Sequence, residues 1–303
     1  MSTSERARGK WRGILIQLGT DKKFLENKHG PCPFCNGTDR YRFDNREGKG
    51  TFICSQCGAG DGFEFLKRLK GWDFKTAAAE IDAALGYVRE KDQTKPMASD
   101  KQRLDNCHKL WANSIALTGE DPASCYLAGR GVLPNRLPTF LAYHAACPVP
   151  NAGGYLPAML ALVHRADGKL ATIHRTFLGP NGKADIDTPR ALMPGELTDG
   201  CAVRIYPVHG ERLGIAEGIE TAIAAAKRFN VPVWAAINST MLKAWTPPAG
   251  VKEVVIFGDN DPAFGGQAAA YALAHRLAVK EKLAVDVRIP GKVGKDWADS
   301  DAA

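Results

Sequence analysis

Apolar and polar positions change rhythm along this chain of 303 residues, and each rhythm predicts a different kind of element. The opening stretch WRGILIQLGTDKKFLEN is amphipathic, and FKTAAAEIDAALGY reads as a helix. Between them, DRYRFDNREGKGTFIC alternates with period two, which predicts a β-hairpin. That alternation puts Tyr41, Phe43 and Phe52 on one face and Arg40, Arg42 and Lys49 largely on the other. Residues 104–128 read as helical, with Leu104, Trp111, Ile115 and Leu117 among the apolar positions. Gly and Pro then become frequent, and PAMLALVHRADGKLATIHRTFLGPNGKAD predicts two strands around an Asp167-Gly168 turn. From residue 211 onward the pattern is regular: strand RLGIAEG, helix IETAIAAAKRF, strand VPVWAAI, a short helix, strand EVVIFGDND, helix GGQAAAYALAHRLAVKE, strand AVDVRIP. Strands alternating with helices predict a parallel sheet with helices on its faces.

These rhythms divide the chain. VREKDQTKPMASDKQ has few large apolar side chains, carries charges of both signs and contains Pro96, so it reads as a linker. The expected organisation is α/β and multidomain: a small β-type unit at 1–87, a linker at 88–103, an α+β subdomain at 104–210 and a parallel α/β domain at 211–303. Hydrophobic content of 45% and charged content of 24% are ordinary for globular proteins and argue against a wholly disordered or membrane chain. No apolar run approaches the roughly 20 residues that span a bilayer. The basic start MSTSERARGKWRG has no apolar segment behind it to make a signal peptide. A cytoplasmic location with reduced cysteines is therefore expected, with no membrane partner. Charge adds one more expectation. The net charge is +7, and residues 1–103 hold 20 Lys/Arg against 14 Asp/Glu, so a polyanion is the expected partner of the first third.

Cys32-x-x-Cys35 and Cys54-x-x-Cys57 are separated by 18 residues. Two such knuckles supply four thiolates at tight turns and complete a closed tetrahedral Zn²⁺ site, which is structural because it leaves no open position. A disulfide pair is disfavoured by the compartment. Around this site the hairpin offers Arg40, Tyr41, Arg42 and Phe43 as candidate nucleic-acid contacts: aromatics to stack or pack, bases to meet phosphate. Cys107, Cys125, Cys147 and Cys201 show no metal-like spacing and are expected to be buried thiols.

In a parallel α/β sheet, functional groups gather beyond the carboxyl ends of the strands. Glu217 ends LGIAEG, Asp259 and Asp261 end VVIFGDND, and Asp296 and Asp299 follow the last strand in GKDWADSD. Carboxylates converging on one crevice repel one another unless a divalent cation is present, and Mg²⁺ held by carboxylates plus substrate phosphates meets that need. The chemistry implied is phosphoryl or nucleotidyl transfer. Turn formation before Pro262 and capping of a helix by Glu217 are the simpler roles of these residues taken singly.

Taken together, these motifs resemble primases of the bacterial and phage type, in which a CxxC…CxxC zinc-binding domain precedes a Toprim catalytic domain. EGIETA resembles the Toprim glutamate motif, GDNDPAFGGQAAA its DxD motif and PGKVGKDWADS its closing acidic motif. The resemblance implies a zinc ribbon, a Toprim domain with Mg²⁺ or Mn²⁺, and single-stranded DNA and ribonucleoside triphosphates as partners. It makes Glu217 the general acid/base or a metal ligand, and Asp259, Asp261 and Asp296 metal ligands. GKLATIHRTFL and TPRALMPG resemble basic strand motifs that bind nucleotide and template, which nominates Arg175, Lys183 and Arg190, with Lys295 of the closing motif beside them. Ala298 stands where related sequences carry Asn, so Asp299 is left out of the ligand set. There is no GxxxxGK[ST] loop, so a helicase is expected as a separate partner. The implied function is primer synthesis on single-stranded DNA for a phage or mobile element. The alternatives are a Toprim nuclease and a non-catalytic zinc-ribbon accessory protein. A type IA topoisomerase would need a further large domain carrying a nucleophilic tyrosine.

Overall fold

The computed structural model describes residues 2–86, 99–150 and 153–299. It divides into two compact units, Met1–Ala98 and Ser99–Ala303.

In the first unit, helices α1 (Thr3–Ala7) and α2 (Trp11–Gln17) precede a meander of β1 (Tyr41–Phe43), β2 (Phe52–Cys54) and β3 (Gly58–Gly60). Helices α3 (Gly62–Lys70) and α4 (Phe74–Leu85) close it. The strands pair antiparallel in the order β1-β2-β3, with Tyr41 opposite Cys54 and Phe43 opposite Phe52. The side chain of Asp61 accepts from the Glu64 amide and starts α3; Gly71, in the left-handed region at φ +69°, ends it. Asp73 caps α4 in the same way. Trp11, Ile14, Leu15, Phe43, Phe52, Phe65, Leu66 and Ile81 are fully buried together. A side chain on Gly62 would sit 2.2 Å from the Trp11 ring, so only glycine lets α3 start there.

The second unit opens with α5 (Asp100–Ala112), β4 (Ile115–Ala116), α6 (Pro122–Gly129), β5 (Leu141–Pro148), β6 (Tyr155–His164), β7 (Leu170–Gly179), β8 (Gly182–Lys183), β9 (Arg190–Leu192) and β10 (Ala202–Val203). It continues through β11 (Arg212–Ala216), α7 (Ile219–Phe229), β12 (Val233–Ala235), α8 (Ser239–Ala244), β13 (Glu253–Phe257), α9 (Gly265–Lys280) and β14 (Ala284–Arg288). The strands form one sheet in the order β14-β13-β11-β12-β10-β6-β5-β4, with β7 on the other edge of β6. The segment β11 to β14 is parallel and the rest antiparallel. One face of the parallel segment packs Val255 and Phe257 against Ile219, Ala222 and Ile223 of α7. The other packs Leu213, Ile215, Val254 and Ile256 against Leu242 of α8 and Leu273 and Leu277 of α9.

Four expectations change. The single helix read over 104–128 is two helices: Asp121 caps α6 by accepting from the Ala123 and Ser124 amides, and Pro122 occupies its first position. Most of the stretch read as a linker, 88–103, lies outside the described residues, but α5 begins within it at Asp100, capped by Ser99. The boundary read at 210/211 crosses a continuous sheet, because β10 pairs with both β6 and β12. Cys125 is exposed, whereas Cys107, Cys147 and Cys201 are buried as expected.

Candidate metal centres and catalytic crevice

Cys32, Cys35, Cys54 and Cys57 bring their sulfurs within 4.8 Å of one another. The Cys32–Cys57 and Cys35–Cys54 Sγ separations are 3.8 and 3.9 Å. A tetrahedron with Zn–S of about 2.3 Å requires about 3.8 Å between sulfurs, so the four thiols form a zinc-ribbon site. The Phe34 and Cys57 amides each approach a cysteine sulfur at 3.4 Å, orienting Cys32 and Cys54.

The hairpin between the knuckles corrects one expectation. Tyr41 and Phe43 share a face with Phe52, but that face is core: they are 3% and 0% exposed, packed with Phe34 and Phe65. They hold the ribbon together and offer no ring to a base. Arg40 is exposed and donates to Gln56, while half-buried Arg42 lies opposite Ile53.

In the second unit, parallel register aligns Ala216 of β11 with Phe257 of β13, and Phe257 with Arg288 of β14. Glu217 and Asp259 therefore leave neighbouring strands at the same end of the sheet. The Asn260 amide donates to the Lys295 carbonyl at 2.9 Å and its side chain to the Pro290 carbonyl at 2.7 Å, fastening the Asp259–Asp261 loop to the closing loop. Asp261 accepts from the Gly266 amide at 2.7 Å, at the start of α9. A side chain on Gly266 would lie 2.6 Å from the Asp259 carbonyl, so glycine is what lets α9 begin this close.

The four carboxylates named from the sequence act on one another. Burial, followed by the charges of Glu217, Asp296 and Asp261, pushes Asp259 up to about 7. Burial and then Asp261 raise Glu217; burial, with Asp299, raises Asp296. Asp259 Oδ1 is buried with no hydrogen-bond partner. A buried, unpartnered carboxylate oxygen among mutually repelling acids is an acceptor suited to a cation, so these residues fit a divalent metal. Among the described residues only the cysteines form a tight group of ligand atoms.

Cations line a wall beside these acids, close enough for the charge of Arg190 to act on Glu217 and Asp259. Arg190 of β9 donates to Glu220 at 2.9 Å while its side chain stays 45% exposed. Half-buried Lys183 has its ammonium lowered by burial and then by Arg190. Arg130, at the end of α6, lies 3.8 Å from Asp296 and 4.0 Å from Asp299. Arg175 does not belong to this wall. It is 5% exposed on the face of β7 under α5, donating to the Pro148 and Leu192 carbonyls at 2.9 and 3.0 Å. Its neighbour His174 faces the site instead, since successive strand residues point to opposite faces. Asp299 accepts from the Asp296 amide at 3.1 Å and shapes the closing turn.

Sequence reasoning missed Glu220, Tyr126 and Arg130. Glu220 is 4% exposed and accepts from both Tyr126 and Arg190 through the same oxygen. Burial alone would raise its carboxyl, but the Arg190 charge and the Tyr126 hydroxyl prevail and hold it down to about 2. The one available signal was the helical spacing of Tyr126 and Arg130, four apart on α6.

Residues 27–63 match the zinc-binding domain of primase-helicase, residues 212–302 match the Toprim domain, and residues 101–205 match a domain of unknown function, DUF7146. The chain resembles the bacterial and phage type of DNA primase in carrying this zinc-binding domain ahead of a Toprim domain. Among solved structures it is similar to the Aquifex aeolicus primase (zinc-binding and RNA polymerase domains), at 17% identity and TM-score 0.42 over 98% of this chain and 81% of that one. It is similar also to the primase fragment of the bacteriophage T7 primase-helicase protein, at 14% identity and TM-score 0.40 over 90% of this chain and 93% of that one. Among the described residues no helix is long and apolar enough to cross a membrane.

Proposed function

We propose that this protein is a DNA primase that makes short RNA primers on single-stranded DNA by metal-dependent nucleotidyl transfer. The observation that carries the reading is that acids and cations meet in one place: the charge of Arg190 acts on Glu217 and Asp259, and that of Asp296 on Lys183. Asp259, Asp261 and Asp296 would hold Mg²⁺ or Mn²⁺, which would neutralise phosphate charge and activate the attacking hydroxyl. Glu217, its carboxyl raised by burial and then by Asp261, accepts the proton of the 3′-hydroxyl. That oxygen bonds to the α-phosphorus of the next nucleotide as the bond to the β-phosphate breaks, and pyrophosphate leaves. Lys183 and Arg190 bind phosphate oxygens as charge shifts toward the leaving group.

The zinc ribbon holds the template, with Arg40 and Arg42 as its phosphate contacts and the cytoplasm as its setting. The resemblance alone supports a phage or mobile-element role and a separate helicase. The test is incorporation of labelled ribonucleotides on unprimed single-stranded DNA with Mg²⁺ or Mn²⁺. Short products in wild type that vanish in Glu217→Gln and Asp259→Asn, both still folded, are expected. Full activity in both variants refutes the mechanism, and cleavage of DNA without nucleotides moves the assignment to a Toprim nuclease.

A further inference from the structure

The proposed reaction gives Glu220 no role, yet this acid is enclosed in the wall of the crevice. It sits in the first turn of α7, one helical turn beyond Glu217, and is 4% exposed. Tyr126, 7% exposed, donates to Glu220 Oε1, and Arg190 donates to the same oxygen at 2.9 Å. The carboxylate is thus held by a buried phenol and grips an arginine whose side chain stays 45% exposed.

The charge of Arg190 already acts on both Glu217 and Asp259. Asp259 Oδ1 has no hydrogen-bond partner. A long, half-exposed guanidinium released beside such an acceptor pairs with it. Arg130 shows the alternative on the same wall: it leans onto the acidic side, 3.8 Å from Asp296 and 4.0 Å from Asp299.

We propose that Glu220 is a positioning residue that holds Arg190 off Glu217 and Asp259 and so keeps the carboxylate crevice open to a divalent cation. This rests on the reading of the crevice as a nucleotidyl-transfer site. A cation competing for the carboxylates and one presented to substrate phosphate are the same side chain in two poses, and Glu220 selects between them.

The test is Mn²⁺ binding to the zinc-loaded full chain near neutral pH, followed by the electron paramagnetic resonance of free Mn²⁺. The proteins compared are wild type, Asp259→Asn, Glu220→Gln, Arg190→Met and the Glu220→Gln/Arg190→Met pair. Glu220→Gln keeps shape and an acceptor for Tyr126, and is expected to weaken the Asp259-dependent Mn²⁺ site roughly tenfold. Adding Arg190→Met is expected to restore it to within about twofold of Arg190→Met alone, a coupling that marks the two residues as one device. Equal weakening with and without Arg190 shows a merely structural role and overturns the inference. Unchanged binding in Glu220→Gln overturns it while leaving the metal site standing. Wild type that binds no better than Asp259→Asn overturns the reading of the crevice, and the inference with it.

Discussion

His174 ties the stability of the second unit to pH. It is 6% exposed, its Nδ1 has no hydrogen-bond partner, and burial, then the charge of Arg190, holds the imidazole down to about 4. In the unfolded chain the same group titrates at about 6.5. The unfolded state therefore takes up a proton as pH falls through about 6.5 while the folded state does not, and stability is lost with acidification until about pH 4. Between about pH 7.5 and about pH 5 the difference spans roughly 1.5 pH units, or about 2 kcal/mol at about 1.4 kcal/mol per unit. His144 and His164, also lowered by burial, add in the same direction, whereas the raised Glu217, Asp259 and Asp296 act oppositely. The contribution of His174 is therefore read as a difference between wild type and His174→Gln. Urea unfolding of both proteins at the two pH values is the assay. With a slope of roughly 2 kcal/mol per molar, the wild-type midpoint should fall by about 1 M more than that of the variant. Parallel loss of stability in the two proteins refutes the argument, since it means His174 is protonated inside the fold.

Two further outcomes are expected. Chelation of zinc should strip hydrogen-exchange protection from β1 to β3 while β11 to β14 keep theirs, since the thiolates hold only the first unit; uniform loss, or none, contradicts the site. Asp259→Asn should stabilise the protein by roughly 1–3 kcal/mol while abolishing Mn²⁺ binding, because one of several repelling buried charges is removed; a lower melting temperature in the absence of metal argues against the repulsion.

The parts legible in the sequence were those whose cause is local. The zinc knuckles are two short repeats, and strand ends place Glu217 and Asp259 once the βα alternation is seen. What escaped depended on parity and on distance along the chain. Strand β7 is buried on both faces from Ala171 to Leu178, so no alternation reveals that His174, and not Arg175, looks toward the crevice. The hairpin alternation sorted aromatics from bases correctly, but Phe65 on α3, which covers the aromatic face, lies outside the repeat. Glu220 reads as an ordinary polar position of an amphipathic helix, and the phenol that buries it is Tyr126, 94 residues earlier. The break between α5 and α6 was readable, since Asp121-Pro122 is a helix start.

Strand β10 is two residues long, yet it reshapes what counts as a module here. Ala202 and Val203 join β6, and Val203 faces Ala235 of β12. One family match ends at residue 205 and the next begins at 212, so the matches divide the chain just where backbone hydrogen bonds do not. A fragment beginning at residue 211 would present the flank of β12 as a raw sheet margin, ready to pair with another copy. Recombination that swapped one side of this seam alone would have to supply a matching margin on the other. The basic wall and the acidic wall thus lie in separate stretches of sequence but stand on one girder, which makes them obligate companions in any transplant.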